Sequence, residues 1–254
     1  ASDPAASVGA EKVGVLTAGL KAKDAETRRQ TAQALLRVTT SSEAREKAIA
    51  TLKAAVKALP KYPTPPTLKP RPGSPAANVF VRLGAYDDAV IELASATGDA
   101  NNAELFIRGD RGDKAIAMIG PLWKKLPADF SIDLMPRDQL RLLYPVVYRD
   151  ELRTSSEKAD IDPRLVPAIM RQESRFQPDG KSYAAARGLM QFISTTSNKV
   201  ASELGRENFR QDELYHPPTA ILFGSQYLSD LFKIFPSQPD DVVASYNGGD
   251  DNMK

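Results

Sequence analysis

Apolar residues recur at helical spacing along almost the whole of this chain, and the period-two alternation of a half-buried strand is nearly absent, which points to an all-α fold. Lys12 to Lys23, Ala25 to Val38 (with Leu35 and Leu36) and Glu43 to Leu59 (with Ile49, Leu52 and Val56) each carry such a stripe, and Ser41 and Ser42 supply a helix start before Glu43. Prolines then interrupt the pattern at Pro60, Pro63, Pro65, Pro66, Pro70, Pro72 and Pro75. Their fixed φ and missing N–H groups exclude a helix. The stretch reads as an extended linker or arm, the alternative being a docking segment for a partner that recognises extended proline runs. With 254 residues the chain can bury a sizeable core in more than one domain. The pattern predicts a helical region over 1–59, a linker over 60–75, helical-hairpin repeats over 76–143 and a further α-rich domain over 144–254.

After the linker the chain repeats itself. Arg82-Leu83-Gly84-Ala85-Tyr86-Asp87-Asp88-Ala89-Val90 aligns with Arg108-Gly109-Asp110-Arg111-Gly112-Asp113-Lys114-Ala115-Ile116. In each copy a helix ends at a glycine-containing turn and an amphipathic helix follows, the helix–turn–helix unit of an α-solenoid. The second copy contains two Arg-Gly-Asp tripeptides, a sequence known as an adhesion signal. They read as an interhelical turn, with Gly taking positive φ and Asp capping the next helix.

Composition narrows the chemistry. The chain holds 34 Lys and Arg against 32 Asp and Glu, so no strong field argues for nucleic acid. Residues 151–254 carry 12 basic against 15 acidic side chains, and the positive excess lies in the first 150, where it suits an anionic polymer or simply solvated helix faces. No cysteine is present, which excludes a disulfide framework, a thiol nucleophile or an iron–sulfur site. The single histidine, His216, stands before Pro217 and Pro218 in a loop, so neither a metal centre nor a Ser-His-Asp triad is expected, and no cofactor. No apolar run approaches the ~18–20 residues needed to span a bilayer. The start, Ala1-Ser2-Asp3-Pro4, has no methionine or hydrophobic stretch and fits a mature exported protein or a trimmed chain.

One glutamate stands out. Asp162 and Pro163 form a helix start, and from there Leu165, Val166 and Ile169 make an apolar stripe whose next positions are Gln172 and Glu173. Glu173 therefore faces the core or a cleft. It also falls in the last turn, where the negative end of the helix dipole disfavours a carboxylate. Both effects push its pKa up, as a proton donor working near neutral pH requires. The competing reading is a rim glutamate paired with Arg171 or Arg175.

Four sequence blocks follow in order: Glu173-Ser174 with Phe176, Gly188-Leu189-Met190-Gln191, Pro217 to Leu228, and Tyr246-Asn247-Gly248-Gly249. Together they resemble the catalytic domain of the soluble lytic murein transglycosylases, lysozyme-like family 23 glycosidases, over roughly residues 143–250. The resemblance implies a helical superhelix ahead of a lysozyme-like α-rich catalytic domain, and helices near Asp162–Ser174, Gly188–Leu204, Pro218–Phe232 and Asp240–Asn247. It implies peptidoglycan glycan strands as substrate, the periplasm or cell envelope as location, and helical repeats that engage other cell-wall enzymes. Because family domains continue past the Tyr-Asn-Gly-Gly block, a missing C-terminal segment is also expected.

Most glycosidases use two carboxylates, yet no convincing partner for Glu173 is visible. Asp179, Glu203, Asp250 and Asp251 all read as solvated. One carboxyl suffices if the substrate's acetamido group supplies the second function. The resemblance then implies that Glu173 protonates the β-1,4 oxygen leaving N-acetylmuramic acid and afterwards takes the proton from the sugar's C6 hydroxyl, giving a 1,6-anhydro end. Ser182 would orient the acetamido group and Gln191 would donate to sugar hydroxyls. Met190 and Phe192 would wall the subsites. Tyr246, next to Asn247 in the same substrate-facing block, would orient the Glu173 carboxyl. The residue-by-residue alternatives are core packing for Met190 and Phe192 and a loop cap for Ser182. One departure is Ala185, where the family commonly has glycine. If that position takes positive φ, the alanine costs on the order of 1 kcal/mol. Two other readings remain open: a goose-type-lysozyme-like hydrolase, and a non-catalytic peptidoglycan-binding scaffold.

Overall fold

The computed structural model describes residues 4–59, 63, 75–93, 100–124, 126–127 and 130–248. Most of the proline-rich linker and the Gly249–Lys254 end lie outside them. The described residues form helices joined by turns, with two isolated antiparallel bridges, Lys181 with Arg187 and Arg187 with Phe192, in place of strands. The all-α expectation holds.

The chain divides into two compact units, 1–67 with 121–140, and 68–120 with 141–254. In the first, α1 (Pro4–Gly19), α2 (Ala25–Val38) and α3 (Ser42–Lys57) pack through Leu20, Ala32, Leu35, Leu36, Ala48 and Leu52. Asp24 caps α2 by accepting the Thr27 N–H, and Ser41 caps α3 by accepting that of Ala44. Arg45 of α3 bonds Asp133 at 2.8 Å, tying in the 3-10 turn Ile132–Leu134.

The second unit opens with α4 (Pro75–Arg82), α5 (Tyr86–Leu93), α6 (Ala100–Arg108) and, as far as Gly120, α7 (Gly112–Trp123). The repeat is visible in the backbone. Ala85 N–H donates to Phe80 C=O at 2.9 Å and Arg111 N–H to Phe106 C=O at 2.8 Å, the same helix-closing bond in both copies. Gly84 takes φ 72 in the first turn, but in the second it is Asp110, not Gly109, that takes φ 57. The aspartate tolerates this conformation because its carboxylate is held: it accepts the Tyr148 N–H at 2.7 Å. Asp113 is buried and paired with Arg111, and Gly112 is buried too, so the second tripeptide is closed to a receptor.

Then follow α8 (Arg137–Leu143), α9 (Arg149–Ala159), α10 (Leu165–Glu173), α11 (Ser194–Glu203), α12 (Pro217–Ile234) and α13 (Pro239–Gly248). The hub is α12, which starts on Pro217 with His216 as its cap residue and buries Ala220, Ile221, Phe223, Gly224, Tyr227, Leu228 and Leu231. Helices α9, α10, α11 and α13 all pack against it.

Two sequence expectations are corrected here. The helix carrying Glu173 begins at Leu165, because the Asp162 carboxylate accepts the Arg164 N–H at 2.9 Å and pairs with its guanidinium, holding 162–164 as a turn. Pro167 then falls in the first helical turn, where a missing N–H costs nothing. Residues 188–193 are not helical: Gly188–Gln191 is a tight turn closed by the Arg187–Phe192 bridge, and α11 starts at Ser194. Gly188 (φ 73) and Gln191 (φ 51) have left-handed backbones that a right-handed helix excludes.

Candidate active site

Glu173 is the last residue of α10 and is partly buried, on a helix whose Val166, Ile169 and Met170 enter the core. Gln172, placed on the same stripe by spacing, is exposed. Burial alone pushes the Glu173 carboxyl above its ordinary value of 4.5. The rim-pair alternative is not what the chain adopts. Arg171 lies over the Tyr144 ring at 4.2 Å and donates from Nε to Leu143 C=O at 2.8 Å, and neither it nor Arg175 contributes to the Glu173 shift as a paired guanidinium would.

A second carboxylate close by would push Glu173 up further, and among the described residues none contributes such a push. Glu203 is engaged with Asp230, Asp212 with Arg187, and Asp179 is exposed. Asp250 and Asp251 lie outside the described residues. No three His, Asp or Glu side chains among the described residues gather where a metal ion could be held.

Ser174 is matched within the first sequence block but given no role there. Its hydroxyl is buried between two carbonyls, Met170 at 3.1 Å and Leu189 at 2.8 Å, so it hooks the Gly188–Gln191 turn onto the end of α10. The next carbonyl in that turn, Met190 C=O, accepts the Tyr246 hydroxyl at 2.9 Å. The phenol is therefore close to Glu173 but bonded to the turn. Its pKa is raised well above the usual value, first by burial and then by the Glu173 and Tyr227 charges. Three blocks far apart in sequence thus meet through backbone carbonyls, a geometry invisible to residue-type matching.

Several predicted substrate residues have other occupations. Met190 is fully buried, its Sδ and Cε packed where a Gly224 side chain would sit, and it faces the core. Phe192 is 3% exposed and lies in an aromatic cluster with Phe223, Tyr227 and Tyr246 at 5.8–6.4 Å between ring centres. Its turn-closing bridge directs it inward. Gln191 spends its amide N–H groups on Gly180 C=O (3.2 Å) and Gly188 C=O (2.9 Å). Ser182 is exposed; its hydroxyl oxygen accepts the Ala186 N–H at 3.1 Å, which leaves its O–H able to donate outward. Asn247 is exposed beside Tyr246.

Ala185 takes φ 60 in this loop, the conformation that favours glycine. Its side chain is exposed, so a glycine here loses no packing. Relief of the left-handed strain (~1–2 kcal/mol) outweighs the extra unfolded-state entropy of glycine (~0.5–1 kcal/mol). Ala185→Gly is therefore expected to stabilise the chain by about 0.5–1 kcal/mol in urea titration; a loss of stability would show the loop is not strained.

Residues 151–254 match the family model described as "Transglycosylase SLT domain". Among similar proteins, the soluble lytic murein transglycosylase of Salmonella typhimurium is 30% identical over 128 residues, covering 50% of this chain and 20% of that protein. The membrane-bound lytic murein transglycosylase C of Klebsiella pneumoniae is 28% identical over 191 residues, 64% of this chain and 53% of that protein. The chain thus spans about a fifth to a half of these relatives. In fold it matches the 70 kDa soluble lytic transglycosylase of Escherichia coli with a TM-score of 0.55 at 21% identity, covering 91% of this chain and 39% of that one. The lytic transglycosylase Slt of Pseudomonas aeruginosa matches equally, at 0.55 and 20% identity over 91% and 40%. These likenesses establish the lysozyme-like α-rich fold.

Proposed function

We propose, from the match of residues 151–254 to the transglycosylase SLT domain model, that this chain is a lytic transglycosylase acting on peptidoglycan in the periplasm or cell envelope. Residues 144–254 form its catalytic part, and the hairpins over 76–143 are the end of a helical repeat region that can engage other cell-wall enzymes. The observation that carries the chemistry is the solitary, partly buried Glu173: a carboxyl raised by burial, with no second carboxylate adding to the shift among the described residues. A group in that state holds a proton to donate and, once ionised, is a base in a poorly solvated setting.

The reaction follows from having one such group. Glu173 gives its proton to the β-1,4 oxygen between N-acetylmuramic acid and N-acetylglucosamine, and the substrate's acetamido oxygen stabilises the positive anomeric carbon. The Glu173 carboxylate then takes the proton of the C6 hydroxyl, which closes onto that carbon as a 1,6-anhydro ring, consuming no water. Ser182 donates to the acetamido group through the O–H that its loop bond leaves available. Tyr246 borders the carboxyl and keeps water from it, while Asn247 meets the glycan at the surface. Gln191, Met190 and Phe192 support the site from beneath, as the turn that carries Tyr246's acceptor.

Mass spectrometry of muropeptides released from purified peptidoglycan tests this reading. Products about 18 Da lighter than hydrolysis products are expected. Products at the hydrolytic mass would replace it with a goose-type-lysozyme-like hydrolase, and glycan binding without products would replace it with a non-catalytic scaffold.

A further inference from the structure

The turn between α6 and α7 precedes the matched family segment and has no part in the chemistry above, yet it is built into the core that carries Glu173. Ile107 and Ile116, on either side of it, pack on the same cluster as Ile169 and Met170. Asp110 accepts the backbone N–H of Tyr148, which itself takes φ 54 at the start of α9. Two residues on, Gly112 opens α7 in a place with little room for a side chain. A Cβ there would lie 3.1 Å from Phe176 Cγ, 3.2 Å from Phe176 Cβ and 3.2 Å from Pro145 Cγ.

Phe176 is the third residue after Glu173 and is 1% exposed. The chain reaches it through two successive left-handed residues, Arg175 at φ 51 and Phe176 itself at φ 64, and its N–H points back to Met170 C=O at 3.4 Å. Two adjacent non-glycine residues in this conformation are strained. Such a pair persists where its surroundings hold it, and the Phe176 side chain is held within the core with Gly112 directly against it.

We infer that Gly112 is a positioning residue for Glu173: by leaving room for the Phe176 ring, the α6–α7 turn sets the final turn of α10 and with it the direction of the Glu173 carboxyl. The inference deepens the reading of Glu173 as the proton-transfer group and rests on it for its functional meaning, but the contact can be tested without turnover.

The full chain labelled with 13C-glutamate serves as the probe, the Glu173 carboxyl resonance being assigned by its loss in Glu173→Gln. Gly112→Val is expected to move that resonance, and Gly112→Ala to move it less. Gly120→Val, on the same helix with nothing within 4 Å of its Cβ position, is expected to leave it in place. Should Gly112→Val fail to fold by circular dichroism, Gly112→Ala carries the test, since its neighbours need give only a few tenths of an ångström. A resonance unmoved in the folded Gly112 variant, or moved equally by Gly120→Val, overturns the inference. In turnover, Gly112→Val is expected to lower kcat on the order of tenfold at unchanged KM, because misplacement of a catalytic group acts on the chemical step. A parent chain without turnover would remove the proposed function while the resonance still decides the positioning.

Discussion

Glu173→Gln is expected to abolish 1,6-anhydro product, lowering turnover by about 10³-fold or more. General acid or base catalysis by a placed side chain is worth about 10²–10⁴ in rate, and here one carboxyl serves in both steps. Glutamine keeps the shape and neither donates a proton to a leaving oxygen nor removes one from a hydroxyl. Residual activity within tenfold of the parent would place the acid elsewhere, Asp250 and Asp251 being the next to substitute. The same variant carries a stability signature. Burial raises the native pKa of Glu173 above its ordinary 4.5, so the folded chain holds this proton more tightly than the unfolded one. That contribution is fully present below the unfolded value and is lost as pH rises through the native one. Glutamine never ionises, so Glu173→Gln is expected to melt above the parent at neutral pH, the gap closing as pH falls below the unfolded value. Thermal scans at neutral and acid pH check the sign.

Gly188→Ala is expected to be the most damaging single methyl in the catalytic part. The residue sits at φ 73, and a Cβ there would come 1.9 Å from the Leu214 carbonyl oxygen and 2.8 Å from its carbon. The contrast with Gly224 decides the scale. There a Cβ would meet Met190 Cε at 2.4 Å, the far end of a flexible side chain that can swing aside. At Gly188 the obstacle is backbone. It belongs to the 3-10 turn Gln211–Tyr215, which is itself bound to the loop by the Arg187–Asp212 ion pair and by Gln211 donating to Phe192 C=O. Neither side can yield without opening the loop, so a loss of at least ~3–4 kcal/mol is expected in urea titration, with activity falling alongside. A loss under 1 kcal/mol would mean that the two turns are not in contact.

The comparison of these two glycines shows where sequence reading stops. Helix periodicity located α2 to the residue and α3 to within two residues, because an amphipathic stripe and its caps are local properties that no distant contact needs to supply; the family resemblance placed α12 and α13. The same logic put Glu173 on a buried face, and the repeat of the hairpin turns was written in their glycine and aspartate spacing. The helix that the resemblance implied from Gly188 is not formed there: Gly188-Leu189-Met190-Gln191 is a turn. Nothing within those residues says that the Leu214 carbonyl stands against Gly188, that Ser174 reaches Leu189, or that Tyr246 closes on Met190.

What the amino-acid sequence determined by itself is the class of the fold, the hairpin turns and the placing of Glu173 on a partly buried helix face. Each follows from residue type and short-range spacing. What only the tertiary structure decided is the direction of side chains around that carboxyl. Met190 and Phe192 turn inward and Gln191 binds its own loop, while Gly112 of a preceding hairpin stands against Phe176, three residues past the end of the Glu173 helix. The physical reason is that left-handed turns and carbonyl-bound hydroxyls are paid for by contacts between segments tens of residues apart, and those contacts exist only once the core has closed.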